Sequence, residues 1–85
     1  MNKTEIISKI NESLAEEFET DIELITPDGK LMEVLELDSL DLVDVVVLIE
    51  SVFGVTLTSP DFVGIKTFQD FYDLIDRKIN GEGTK

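Results

Sequence analysis

LDSLDLVDVVVLIESVFG, residues 37–54, is the most informative run in the chain. It reads as one helix that begins at Asp38-Ser39 and stops at Gly54. Asp38 and Ser39 both suit a helix start, because a short side-chain oxygen can accept from unpaired first-turn N–H groups. Gly54 suits a stop, since it adopts a left-handed backbone at little steric cost. On a wheel of about 100° per residue, Leu42, Val45, Val46, Ile49, Val52 and Phe53 share one broad face, the expected core side. The opposite side holds Asp41, Asp44, Glu50 and Ser51, together with Leu40 and Val47. Leu40, Asp44, Val47 and Ser51 recur at helical spacing as a stripe of acids mixed with isolated aliphatics. Such a stripe suits docking, with apolar contact for affinity and charge for approach. It equally suits ordinary exposed aliphatics or cover for a neighbouring loop. The wheel does not choose between them.

Composition narrows the field. Eighty-five residues make one domain, with a modest core and marginal stability. A hydrophobic share of 42% is enough to fold and too much for disorder. The chain has no Cys and no His. Disulfides, thiolate metal sites and thiol nucleophiles are therefore excluded, along with the commonest general base and transition-metal ligand. No run is long and apolar enough to span a bilayer. The acidic, periodic N-terminus is not a secretion signal, so the expectation is a soluble cytoplasmic protein. A net charge of −12 argues against nucleic acid, whose phosphates it would repel, and favours basic partners. The charge is also localised. No Lys or Arg occurs between Lys30 and Lys66, while Glu33, Glu36, Asp38, Asp41, Asp44, Glu50 and Asp61 all lie there. The acidic field therefore surrounds the 37–54 helix.

Outward from that helix the pattern is helical. Residues 4–19 form a first helix, capped by Thr4, with Ile6, Ile7, Ile10, Leu14 and Phe18 on one face. Residues 20–37 form a long connection that turns at Pro27-Asp28-Gly29. Its Leu24, Ile25, Leu31, Val34, Leu35 and Leu37 imply that it folds back onto the helices, with a helical turn within 30–36. Val55-Thr56-Leu57-Thr58 has no partner strand and reads as an extended connector. Ser59-Pro60-Asp61 opens a short helix over 60–64, as cap, first-position proline and first-turn acid. Thr67, with Asp70 three residues on, caps a last helix whose Phe68, Phe71, Tyr72, Ile75 and Ile79 face the core. Asn80-Gly81 ends it. The expected fold is all-α: a small four-helix bundle of three longer helices and one short one. A long ordered loop joins its first two helices. Residues 1–80 make the domain and residues 81–85 a flexible tail.

Enzyme readings fail. A serine hydrolase lacks its histidine here, and neither Lys30 nor Lys66 sits in a motif that would make a Ser-Lys pair. Nineteen acids guarantee close carboxylate pairs by chance, so pairing carries no glycosidase signal. There is no Gly-rich phosphate loop and no calcium loop. No catalytic residue and no specific metal site is expected. Ser39 remains. An oxygen-linked phosphate at a helix N-terminus would gain from the dipole, but Asp38 opposes it. Read alone, Ser39 is a plain cap more often than a modified residue.

Asp38-Ser39-Leu40-Asp41 resembles the DSLD signature of acyl carrier proteins. The similarity runs without a gap through the 37–54 helix to the Phe68–Ile75 helix, over roughly residues 5–79. It takes in helix order, the long first loop and the acidic second helix. The resemblance implies that Ser39, flanked by Asp38, carries 4'-phosphopantetheine delivered from coenzyme A by a phosphopantetheinyl transferase. The arm would supply the thiol this chain lacks, and acyl groups would travel on it as thioesters. It further implies that Leu40, Asp41, Asp44, Val47 and Glu50 meet basic patches on synthase or ligase enzymes, and that the carrier is a monomer without membrane insertion. Glu36 stands where many members have glycine, which implies a different turn into the helix. Ser51 and Val52 stand where fatty-acid carriers usually have acids. Fatty-acid or specialised acyl and polyketide-type synthesis, D-alanyl transfer and stand-alone peptidyl carriage are the pathway alternatives. An unmodified acidic adaptor is the rival from another class.

Overall fold

Asn2 opens the first helix. Its side-chain oxygen accepts the Glu5 N–H at 2.8 Å, and the Glu5 carboxylate accepts the Asn2 N–H at 3.2 Å. This reciprocal box moves the helix start ahead of the Thr4 expected from sequence. The computed structural model describes residues 2–81; of the tail expected at 81–85, Gly81 closes the last helical turn and residues 82–85 lie outside the described residues. Four α-helices follow in order: α1 (Lys3–Glu17), α2 (Leu31–Val34), α3 (Asp41–Phe53) and α4 (Phe68–Asp76). Short 3-10 turns at Ile22–Leu24 and Ser59–Phe62 and a π-turn at Arg77–Gly81 complete the path. Among the described residues there is no strand, only an isolated Lys30–Thr67 bridge. The all-α bundle expected from sequence is what forms. The short 59–62 turn is 3-10 rather than α. Its box pairs Thr58 with Asp61, one residue earlier than the Ser59 cap expected.

α1 is the helix against which both α3 and α4 pack. Its Ile6, Ile10 and Leu14 are fully buried, and they meet Val45 and Ile49 of α3 and Phe68, Phe71, Tyr72, Leu74 and Ile75 of α4 in one core. Tyr72 donates its phenol hydrogen to Asn11 Oδ1 at 2.6 Å, so the largest buried side chain leaves no polar atom unpaired. Phe62 and Phe71 stack at 6.3 Å, tying the 59–62 turn to α4.

The long loop folds back as its apolar content predicts. Ile25, Leu31, Leu35 and Leu37 are in the core, although Ile22 and Leu24 are exposed. The turn at Pro27-Asp28-Gly29 closes through Gly29 N–H to the Thr26 carbonyl at 3.0 Å. The same turn serves α4. A helix leaves its first N–H groups without internal partners. Here Phe68 N–H donates to Gly29 O at 3.0 Å, Gln69 N–H to Pro27 O at 3.1 Å, and Asp70 N–H to Thr67 Oγ1 at 3.2 Å. The loop is therefore held by hydrogen bonds that α4 needs filled.

Two helix ends use left-handed residues that are not glycine. Glu19 follows α1 at φ 54° and Glu36 follows α2 at φ 56°. At α2, Leu37 N–H reaches Met32 O at 2.9 Å and Glu36 N–H reaches Glu33 O at 3.3 Å, the double bond of a Schellman ending. The glutamate at position 36 thus makes the left-handed turn that glycine makes at less cost.

Candidate functional site

α3 begins later than its sequence suggests, at Asp41 rather than at Asp38-Ser39. The reason lies in the opening turn. Asp41 N–H donates to Asp38 O at 3.1 Å and Val43 N–H to Leu40 O at 3.3 Å, so the first bonds span three residues and not four. Asp38 acts as the cap: its Oδ1 accepts the N–H of Leu40 at 3.0 Å and of Asp41 at 3.1 Å. Asp41 Oδ2 in turn accepts the Asp38 N–H at 3.1 Å. Ser39 lies inside this reciprocal pair. It is exposed, and among the described residues its hydroxyl has no hydrogen-bond partner. The helix-start duty that sequence assigned to both residues falls on Asp38 alone, which leaves the Ser39 oxygen uncommitted.

The far end of α3 is as expected. Gly54 takes φ 75° and its N–H returns to Glu50 O at 2.8 Å. The core face is narrower than the wheel predicts. Val45 and Ile49 are fully buried, while Leu42, Val46 and Phe53 are half-buried against the core and Val52 is half-buried outside it. α3 is gripped by α1 along one side, which leaves room for two fully buried positions one turn apart.

On the open side, Leu40 is 79% exposed, Val43 61% and Val47 59%. These three form the apolar stripe. Sequence reasoning singled out Leu40 and Val47 but passed over Val43, whose i+3 and i−4 spacing to the other two was the available signal. Asp44, Glu50 and Ser51 are exposed beside them, whereas Asp41 is half-buried in the opening turn. No described cation pairs with Asp38, Asp41, Asp44 or Glu50; the described ion pairs are Lys3–Asp73 at 2.6 Å and Lys78–Asp61 at 3.3 Å.

A surface cleft of about 440 Å³ lies elsewhere, beside Pro60, Asp61, Gly64, Asp70 and Asp73. Its acids have structural duties. Asp61 accepts from Thr58 N–H at 2.9 Å and Thr58 Oγ1 at 3.1 Å, and those bonds with the Lys78 ammonium hold its carboxyl below the usual range. Asp70 accepts from Thr67 and Lys66 N–H, which lowers it in the same way. Asp73 accepts from Lys3 and Gln69. Among the described residues no three acidic side chains converge as a metal would require, and no helix is long and apolar enough to cross a membrane.

Residues 8–75 match the family model described as a phosphopantetheine attachment site. The acyl carrier protein of Thermosynechococcus vestitus is 34% identical over 79 residues, covering 93% of this chain and 98% of that protein. The acyl carrier protein of Thermotoga maritima is 37% identical over 78 residues, covering 92% and 96%. That of Lactobacillus acidophilus is 36% identical over 75 residues, covering 88% and 94%. An exposed serine at the head of α3, an acidic surface without described cation partners and these likenesses agree: the chain belongs to the acyl carrier protein family, non-enzymatic carriers that bear 4'-phosphopantetheine and work with a phosphopantetheinyl transferase and acyl-handling enzymes.

Proposed function

We propose that Ser39 is the attachment point of 4'-phosphopantetheine, flanked by Asp38, and that this carrier moves acyl groups as thioesters for fatty-acid or specialised acyl synthesis. One observation carries the reading. Ser39 is exposed at the head of α3, and its oxygen is relieved of capping by Asp38. On modification the Ser39 oxygen displaces the nucleotide of coenzyme A. The Oγ–P bond forms as the pyrophosphate P–O bond breaks, adenosine 3',5'-bisphosphate leaves, and the serine proton passes to a base of the transferase. The attached arm supplies a terminal thiol, which a chain with no cysteine otherwise lacks.

Leu40, Asp44, Val47 and Glu50 form the docking surface, with Asp41 at its inner edge. Their exposure and uncompensated charge suit a partner with a basic patch around an apolar contact. Residues 1–80 work as a single cytoplasmic, monomeric carrier domain.

The test is intact mass after incubation with coenzyme A and a promiscuous transferase. The wild-type chain gains about 340 Da and Ser39→Ala gains nothing. An unmodified adaptor would gain nothing in either form. Ser39→Ala should cost about 1 kcal/mol or less in stability, because Asp38 is the cap.

A further inference from the structure

We infer that Asp41, beyond its place at the inner edge of the docking surface, is a positioning residue for the modification of Ser39; the inference rests on the Ser39 reading above. Asp41 differs from its acidic neighbours in what its carboxylate touches. Asp44 and Glu50 are exposed, and their side chains accept no hydrogen bond among the described residues. Asp41 is half-buried, and its Oδ2 accepts the Asp38 N–H at 3.1 Å. Asp38 answers through Oδ1 to the Asp41 N–H. The two side chains thus close a ring around the three-residue turn whose middle carries Ser39.

The need for that ring is physical. The opening turn is held by three-residue backbone bonds at 3.1 and 3.3 Å, weaker in geometry than α-helical ones. The only described partner for the Asp38 N–H is the Asp41 carboxylate. Without it one of the bonds that fix the Asp38 backbone is lost, the turn loosens, and the Ser39 oxygen samples directions unsuited to attack on a bound phosphorus. A displacement of about 1 Å in a reacting group costs on the order of 100-fold in rate. An acceptor oxygen is what the ring requires. A negative charge is not.

The experiment separates acceptor from charge. Transferase kinetics on the full chain are compared for Asp41→Ala, Asp41→Leu and Asp41→Asn, with Asp44→Ala and Asp44→Asn in parallel. The expected result is a kcat loss of roughly 10-fold or more in Asp41→Ala and Asp41→Leu. Asp41→Asn, which keeps an acceptor oxygen, should recover most of that kcat. Both Asp44 variants should instead raise KM alike, with an effect that shrinks at high salt. Exchange of the Asp38 amide hydrogen gives a readout independent of the transferase: protection is lost in the Ala and Leu variants and kept in Asn. The inference is overturned if Asp41→Asn behaves as Asp41→Ala with only a salt-dependent rise in KM, or if neither Ala nor Leu alters kcat. Failure of the Ser39 reading looks different, because the wild-type chain then gains no mass or Ser39→Ala still gains it.

Discussion

α3 and α4 invert the usual link between apolar content and burial. Nine of the thirteen residues of α3 are apolar, yet only Val45 and Ile49 are buried. Five of the nine residues of α4 are apolar, and all five are buried. α4 also has every first-turn N–H filled, by Thr67 and by two loop carbonyls. α3 leaves Leu40, Val43 and Val47 in solvent next to acids without described cation partners. The difference teaches a division of labour: α4 holds the bundle, and α3 keeps apolar surface on the outside, which the proposed docking would cover.

Substitution at matched apolar positions is the strongest way to break that contrast. Phe71→Ala should cost about 3–5 kcal/mol in urea unfolding, a large part of the roughly 5–15 kcal/mol that holds a small domain. Val47→Ala should stay within about 0.5 kcal/mol. Comparable losses at the two sites would abolish the distinction. Charge sharpens it next. Asp44→Lys should lower transferase kcat/KM by roughly 10-fold at low salt, and the gap to wild type should narrow as salt rises. A salt-independent loss would point to a packing role for Asp44.

Acid titration probes the α4 side. Asp61 and Asp70 have carboxyls held below the ordinary range, chiefly by accepted backbone N–H bonds. Groups with depressed folded values bind fewer protons when folded. Their contribution is therefore present above the unfolded value, about 3.9, and is lost as pH falls through the lower folded values. Asp61→Asn with Asp70→Asn should flatten the acid limb of a stability-versus-pH curve, and an unchanged slope would contradict the assignment. The smallest effect is expected at the approach to α3. Glu36→Gly relieves a left-handed backbone at φ 56° and should stabilise by about 0.5–1 kcal/mol, visible as a raised Tm, with the mass gain at Ser39 unaltered.

Much of the fold was readable from local chemistry. The Gly54 stop, the Thr67–Asp70 box, the Pro27-Asp28-Gly29 turn and the helical turn after Lys30 each follow from a few neighbouring residues, and each is found. The misplacements were equally local. Asn2 outcompeted Thr4 as a cap because its partner Glu5 sits three residues on, and Thr58 outcompeted Ser59 for the same reason through Asp61. Both spacings, Asn2 to Glu5 and Thr58 to Asp61, are visible in the sequence.

Burial on α3 is another matter. The wheel ranks positions by angle and cannot say how wide a face the neighbours will cover. The periodicity, the uncompensated acids of residues 31–65 and the serine at a helix head were all determined by sequence alone, because they depend on residue order and charge. Tertiary structure decided the rest. Packing against α1 narrowed the buried strip to Val45 and Ile49 and left Val43 outside. The closing of the Asp38–Asp41 ring gave the capping duty to one residue and freed the oxygen of the next. Side-chain oxygens compete for the same few N–H groups, and only the folded backbone shows which of them wins.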